Sequence, residues 1–188
     1  MLGDINIAEP KALIGFAGSP WTVACYLIDG RGKTGFPKTL SMVRNNPQFV
    51  DHLLEILSAA TLDYLGQQIE AGAEAIQLFE SWAELLAGDD FARFIIGPTQ
   101  KIVTALKQKY PHIPIIGFPR AAKPDDYLKY VTQTGVDVLG LDQGLSLDFA
   151  ADKLRPHAVL QGNLDPELLL AGDDMMLANL DAIMQKFG

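Results

Sequence analysis

The sequence predicts an α/β fold in which short buried strands alternate with helices. Five short, nearly continuous apolar runs are separated by segments with helical periodicity, as in a parallel sheet covered by helices. The runs do not repeat one another in sequence, so no solenoid is indicated. A chain of 188 residues with 48% hydrophobic residues can bury a substantial core, and we expect residues 1–188 to form one domain.

The first predicted strand, over residues 12–16, and the turn that follows it organise the N-terminal part of the chain. Gly18 and Pro20 break the strand, and an aromatic and apolar run over residues 21–28 follows. In β/α enzymes this order of a strand, a turn and an amphipathic segment places the site at the carboxyl end of the strand.

Two helices are predicted next, a short one over residues 36–46 and a long one from Pro47 to about Ala71. The long helix carries apolar residues at three- and four-residue spacings, which predicts one face packed against a core. These residues are Val50, Leu53, Leu54, Leu57, Tyr64, Leu65 and Ile69.

Four further β/α units follow along the chain. Their predicted strands cover residues 75–79, 113–118, 136–141 and 158–161. Their predicted helical segments cover residues 91–109 with a restart at Pro98, a short stretch from Pro124, residues 147–154, and the tail over residues 167–187.

Five β/α units suit either an open doubly wound sheet or part of an eight-stranded barrel. Polar residues follow every predicted strand, namely Ser19, Glu80, Ser81, Arg120, Asp142, Asn163 and Asp165. Functional groups after many consecutive strands are typical of the barrel, whereas an open sheet concentrates them at one crevice. This distribution favours the barrel.

Several of these polar residues have two readings at the sequence level. Arg120 is either an anion clamp or a salt-bridged surface residue, and Asp142 is either a carboxylate at the mouth or the cap of a turn. Asn163 and Asp165 are predicted to stabilise a turn, with Asp165 capping the last helix. Ser81 lacks the surroundings of a nucleophile, so we expect it to hydrogen-bond a ligand carboxylate or the backbone.

Composition excludes several classes of function. A net charge of −8 argues against binding to a nucleic-acid backbone, and no apolar run approaches the ~20 residues of a membrane span. The single cysteine, Cys25, is expected to be a buried apolar residue in a protein of the cytoplasm. Residues 30–34 resemble the end of a phosphate-binding loop. That motif needs a glycine at residue 27, where this chain has Leu27. The histidines are not paired at ligand spacing, so no metal site is predicted.

Four stretches resemble the uroporphyrinogen decarboxylase family in order and spacing. They are LIGFAGSPWTVACY over residues 13–26, AGAEAIQLFESW over 71–82, GVDVLGLD over 135–142 and LQGNLDP over 160–166. The resemblance implies a parallel β/α barrel of TIM type, here about five of eight units, and usually a homodimer. It also implies removal of the four acetate carboxylates of uroporphyrinogen III to give coproporphyrinogen III in haem synthesis, without a metal or organic cofactor.

The resemblance also implies roles for individual residues. Tyr26 matches the active-site tyrosine of the family, and Ser81 matches a serine that contacts the substrate. Phe16, Gly18 and Phe79 match residues that line the substrate cleft. Each lies at or near the end of a predicted strand or in the segment that follows it.

Other family features have no counterpart in the sequence. These are an N-terminal Arg-Gln-Ala-Gly-Arg-Tyr segment, a central aspartate and a C-terminal Gly-His-Gly segment, and Gln143 stands where the family commonly has tryptophan. We therefore expect a barrel domain truncated at both ends, with little decarboxylase activity alone and a tendency to associate through open barrel edges.

Two alternatives remain at the sequence level. The first is a non-catalytic tetrapyrrole-binding or assembly module on the same scaffold. Cobalamin-dependent methyltransferases share the barrel, but they need thiol and imidazole zinc ligands after late strands, and Cys25 follows the first strand.

Overall fold

A computed structural model describes residues 11–30 and 35–187. Five strands lie parallel in one sheet, and each strand pairs with the next one in sequence. The strands are β1 (Ile14–Gly18), β2 (Ala75–Glu80), β3 (Ile115–Pro119), β4 (Val138–Gly140) and β5 (Val159–Gln161).

The strand order β1-β2-β3-β4-β5 decides between the two predicted architectures. A doubly wound sheet reverses its strand order at a switch point, and this sheet does not. Because strand-to-strand crossovers are right-handed, sequential order places all the helices on one face of the sheet, as in a barrel. The prediction of TIM-type β/α winding is therefore confirmed for five consecutive units.

Most of the helices have a proline in their first turn. The fixed backbone angle of proline suits a helix start, and the N–H that proline lacks would have no hydrogen-bond partner within the helix there. The helices are α1 (Pro20–Asp29), α2 (Pro37–Asn45), α3 (Pro47–Glu70), α4 (Gly88–Phe91), α5 (Gly97–Lys109), α6 (Pro124–Thr134), α7 (Leu147–Phe149), α8 (Pro166–Ala171) and α9 (Asp174–Phe187). A short 3₁₀ turn covers Ala83–Leu85.

Three predicted helical segments are interrupted. A π-helical turn, Ala92–Ile96, separates α4 from α5, and Pro98 restarts the helix as predicted. A second π-helical turn, Ala150–Leu154, follows α7. The tail forms two helices rather than one, because Gly172 adopts a left-handed conformation (φ 64°) and ends α8.

The buried face of α3 differs in part from the prediction. Leu53, Leu57 and Ile69 pack against the core as expected, but Tyr64 is 57% exposed, so its predicted burial was wrong. The deeply buried positions of this helix are Val50, Leu54, Ser58, Thr61 and Leu65. Polar side chains can occupy this face because the Ser58 hydroxyl donates to the Leu54 carbonyl oxygen at 2.6 Å.

The two faces of the sheet have different surroundings. The face that carries Ile76, Leu78 and Leu139 packs against the helices and forms the core. We call the other side the open face. On it, Phe16 is 61% exposed and Val159 is 67% exposed. The prediction of buried strands in a sheet covered by helices was therefore wrong for β1 and β5, which lie at the edges of the sheet.

Within residues 11–30 and 35–187, no helix is both long enough and apolar enough to cross a bilayer.

Candidate functional site

A row of phenylalanines crosses the open face at the carboxyl end of the sheet. The rings of Phe16 and Phe79 lie 5.8 Å apart and those of Phe79 and Phe118 lie 6.1 Å apart, in each case edge to face. Phe118 leans over Gly140, where a Cβ atom would lie only 2.9 Å from the Phe118 ring. These three residues, here called the phenylalanine row, form an apolar floor.

Gly18 ends β1 beside this row, because it pairs in register with Phe79. A Cβ atom at residue 18 would approach the side chain of Val23 to 3.3 Å. The turn from β1 into α1 is thus packed closely enough to favour glycine. Phe16, Gly18 and Phe79, which were predicted to line one cleft, lie next to one another.

A second aromatic cluster contains Tyr26 from α1. Its ring lies 5.8 Å from Phe36 and 6.1 Å from Trp82, and the Phe36 and Trp82 rings lie 4.8 Å apart. Phe36 is fully buried, whereas Tyr26 is 41% exposed. Trp82 directly follows Ser81, so this cluster flanks the end of β2.

Ser81 is held by its backbone and leaves its hydroxyl open. The Ser81 N–H donates to the Thr22 hydroxyl at 2.8 Å, which ties the end of β2 to α1. Among the described residues, none forms a hydrogen bond with the Ser81 hydroxyl. Of the two predicted roles, bonding of the hydroxyl to the backbone is therefore not observed within the described part of the chain.

Glu80 lies on the opposite face from the phenylalanine row. Side chains alternate along a strand, so Glu80 points between the sheet and the helices, where it is fully buried and accepts a short hydrogen bond from the Thr22 hydroxyl. Burial raises the pKa of Glu80 to about 8, and the hydrogen bond from Thr22 opposes this. Glu80 and the fully buried Ser19 therefore do not lie at the mouth, contrary to the prediction.

Trp21 and Cys25 belong to the core rather than to a ligand pocket. Both are fully buried. The Trp21 ring stacks on Phe94 at 6.4 Å, and its Nε1–H donates to the Trp82 carbonyl oxygen at 3.0 Å. Burial raises the pKa of the Cys25 thiol, so it stays protonated at neutral pH.

The polar residues after β4 and β5 stabilise turns. Asp142 accepts the Gly144 N–H at 2.8 Å, as predicted for a turn cap. The Asn163 amide donates to the carbonyl oxygens of Asp142 and Leu145. Asp165 accepts the Glu167 N–H at 2.8 Å and caps α8. The turn-stabilising roles of Asp142, Asn163 and Asp165 are confirmed.

Sequence comparison identifies the family to which this geometry belongs. The profile described as Uroporphyrinogen decarboxylase (URO-D) matches residues 6–188. The chain belongs to the uroporphyrinogen decarboxylase family. The predicted resemblance is thereby confirmed over nearly the whole sequence.

Curated relatives of the uroporphyrinogen decarboxylase family agree with this assignment. Proteins named uroporphyrinogen decarboxylase from Granulibacter bethesdensis and Paracoccus denitrificans are 43% and 42% identical to the chain, over 92% and 97% of its length. Another, from Gluconacetobacter diazotrophicus, is 45% identical over 91% of the chain. The alignments cover 50%, 53% and 48% of these relatives. The chain thus spans about half the length of the curated relatives it matches.

Sequence reasoning missed three aromatic residues of the candidate site. Phe118 extends the phenylalanine row, and Phe36 and Trp82 surround Tyr26. The register of β2 with β3 places Phe118 beside Phe79, and that register is not readable from apolar runs. Trp82 could have been noticed, because it adjoins Ser81 in one of the stretches that carry the resemblance.

The structure also bears on metal binding and on the phosphate-loop pattern. No group of three or more histidine, cysteine or acidic side chains in residues 11–30 and 35–187 is arranged to hold a metal ion. The incomplete phosphate-loop pattern falls mainly on residues 31–34, which lie outside the described residues.

Proposed function

We propose that this chain acts in the decarboxylation of uroporphyrinogen III to coproporphyrinogen III. The observation that carries the proposal is the phenylalanine row on the open face, with the available Ser81 hydroxyl at its rim. A tetrapyrrole presents a broad apolar ring with carboxylate arms at its edge. An apolar floor with a few polar groups at the rim matches that shape.

Each proposed site residue has a separate task. Phe16, Gly18 and Phe79 line the cleft and exclude water from the face of the macrocycle, which strengthens hydrogen bonds at its rim. Ser81 donates its hydroxyl proton to a substrate carboxylate. Tyr26 is the catalytic residue, and its partly exposed ring lets the hydroxyl donate to the acetate group that reacts. In each cycle one CH₂–COO⁻ group loses carbon dioxide and gains one proton to become a methyl group.

Activity is tested by incubating the chain with uroporphyrinogen III and resolving the products by their number of carboxylates. We expect products with seven to four carboxylates to form, but only slowly, in keeping with the little decarboxylase activity expected of the chain alone. Tyr26→Phe should slow their formation by about tenfold or more, because it removes a hydrogen-bond donor from the reacting group. Tyr64→Phe is the matched control, since Tyr64 lies on the outer face of α3 and is 57% exposed. Equal rates in the two variants would contradict the role of Tyr26.

A non-catalytic tetrapyrrole-binding or assembly role is the second candidate. It is favoured by one observation: among the described strand residues on the open face, none is acidic. Decarboxylation in this family is expected to need a carboxylate facing the pyrrole N–H groups. Saturable porphyrin binding, followed by absorbance, without any loss of carboxylates would support this second role. Turnover would exclude it.

We also propose that the chain works as one domain in the cytoplasm and associates as a homodimer or through its open edges. Support for association comes from the open face and from the edge strand β5, where Val159 is 67% exposed. At β1 the Gln68 side-chain amide bonds the N–H and carbonyl groups of Phe16 at 2.8 Å and 3.0 Å. That contact covers part of the β1 edge, so β5 offers the freer edge.

A further inference from the structure

Arg120 stands beside Ser81 at the carboxyl end of the sheet. The last residues paired between β2 and β3 are Glu80 and Pro119. Just beyond this pair, the Arg120 N–H donates to the carbonyl oxygens of both Glu80 and Phe118, each at 3.1 Å. Ser81 and Arg120 are the next pair in this register, and neighbouring strands lie about 4.8 Å apart.

Both residues leave the sheet next to the phenylalanine row. Phe79 and Phe118 are register partners in that row. Because β2 ends at Glu80 and β3 ends at Pro119, Ser81 and Arg120 are the first residues after these two strands. Their backbones therefore lie side by side at the carboxyl end of the sheet, two residues beyond Phe79 and Phe118.

The positive charge of Arg120 has no carboxylate partner within the described part of the chain. Arg120 is exposed, and it takes part in none of the ion pairs formed between described residues. Asp142, which follows the next strand, uses its carboxylate to accept the Gly144 N–H. The predicted alternative, a salt-bridged surface arginine, is therefore not observed.

We propose that Arg120 and Ser81 together bind one carboxylate arm of the tetrapyrrole while the macrocycle lies on the phenylalanine row. This inference rests on the proposed function. Guanidinium binds a carboxylate through two parallel N–H donors, and such charge-assisted bonds are about twice as strong as neutral ones. The Ser81 hydroxyl adds a third donor on the adjacent strand. The role of Arg120 is thus to bind a carboxylate of the substrate.

The test is a titration of the 188-residue chain with uroporphyrin, which has eight carboxylates, followed by porphyrin fluorescence. We expect Arg120→Gln to weaken binding by about tenfold or more, as loss of a charge-assisted hydrogen bond predicts. Arg120→Lys keeps the charge and should recover part of the affinity. Arg44→Gln, an exposed arginine of α2, removes the same charge from another surface and should bind like the wild type.

A parallel titration with coproporphyrin, which has four propionates and no acetates, identifies the arm. Weakening of both ligands by Arg120→Gln assigns the arm as a propionate, and weakening of uroporphyrin alone assigns it as an acetate. Wild-type affinity in Arg120→Gln, or an equal loss in Arg44→Gln, overturns the inference and leaves the proposed function standing. A wild-type chain that binds neither porphyrin overturns both.

Discussion

Glu80 shows how a single residue next to the site can act from the buried side of the sheet. Its carboxyl oxygen accepts from the Thr22 hydroxyl, and that hydroxyl accepts the Ser81 N–H. The second carboxyl oxygen has no partner among the described residues and is fully buried. A neutral carboxyl suits this environment, because an ionised one would lie unpaired at low dielectric. Glu80 thereby supports the position of Ser81 without facing the ligand.

Glu80→Gln is predicted to remove a pH dependence of stability. With a native pKa of about 8 against an ordinary value of 4.5, native Glu80 keeps a proton that the unfolded chain releases. The contribution of this group is therefore fully present below pH 4.5 and is lost as the pH rises towards 8. Between pH 5 and pH 7 we expect the unfolding free energy of the wild type to fall by about 2–3 kcal/mol relative to Glu80→Gln.

Urea denaturation at the two pH values measures this difference. Glu167→Gln is the control, because Glu167 is exposed in α8, does not contribute to the pKa of Glu80, and the chemical change is the same. If the wild type, Glu80→Gln and Glu167→Gln all change equally with pH, Glu80 is not held neutral in the native chain.

At the scale of elements, the packing of α6 on β3 depends on a glycine. A Cβ atom at Gly117 would lie 2.7 Å from both the ring and the hydroxyl of Tyr130, and 3.0 Å from Val136. Tyr130 is fully buried, so its ring cannot move aside without disturbing the core. The close approach of helix and strand therefore requires a residue without a side chain.

Gly117→Ala is predicted to lower the unfolding free energy by about 1–3 kcal/mol, the usual cost of overpacking a core. Gly66→Ala in α3 is the matched substitution, since the nearest atom to its Cβ is the Tyr110 hydroxyl at 3.5 Å. It should raise stability by about 0.5–1 kcal/mol, because alanine suits a helix interior better than glycine. Chemical denaturation gives both values, and a loss at Gly66 as large as that at Gly117 would contradict this packing.

The elements themselves were largely predictable from local signals. Apolar runs marked all five strands, and the prolines at residues 47, 98 and 124 marked helix starts. The π-helical turns and the exposed Tyr64 were not predictable in this way. Tertiary packing chose which face of α3 is buried and tolerated Ser58 and Thr61 on it.

At the scale of the whole molecule, the sequence indicated a barrel, but not which strand residues face its inner side. That assignment requires the register, which places Phe118 and Arg120 with Phe79 and Ser81 and turns Glu80 away. The roles of the site residues follow from the family resemblance and are proposals. The local pattern could not supply them, because the site is assembled across neighbouring strands.

Association of the chain is predicted to depend on the free edge at β5. Val159→Lys should reduce the fraction of dimers or larger species measured by sedimentation velocity, because a charge on an open strand edge opposes pairing. Leu170→Lys in α8 is the control, since Leu170 is 88% exposed but lies outside the sheet. An equal effect of the two substitutions would show that general surface hydrophobicity drives association instead.

The most direct measurement is porphyrin binding to a chain altered in the phenylalanine row. Uroporphyrin fluorescence should reveal saturable binding to the wild type and to Phe49→Ala, which removes a 46% exposed ring from the outer helix α3. Phe79→Ala, at the centre of the row, should weaken binding by about tenfold or more, since it removes a stacking surface beneath the macrocycle. Unchanged binding in Phe79→Ala, or no saturable binding in the wild type, would contradict the placement of a tetrapyrrole on the open face.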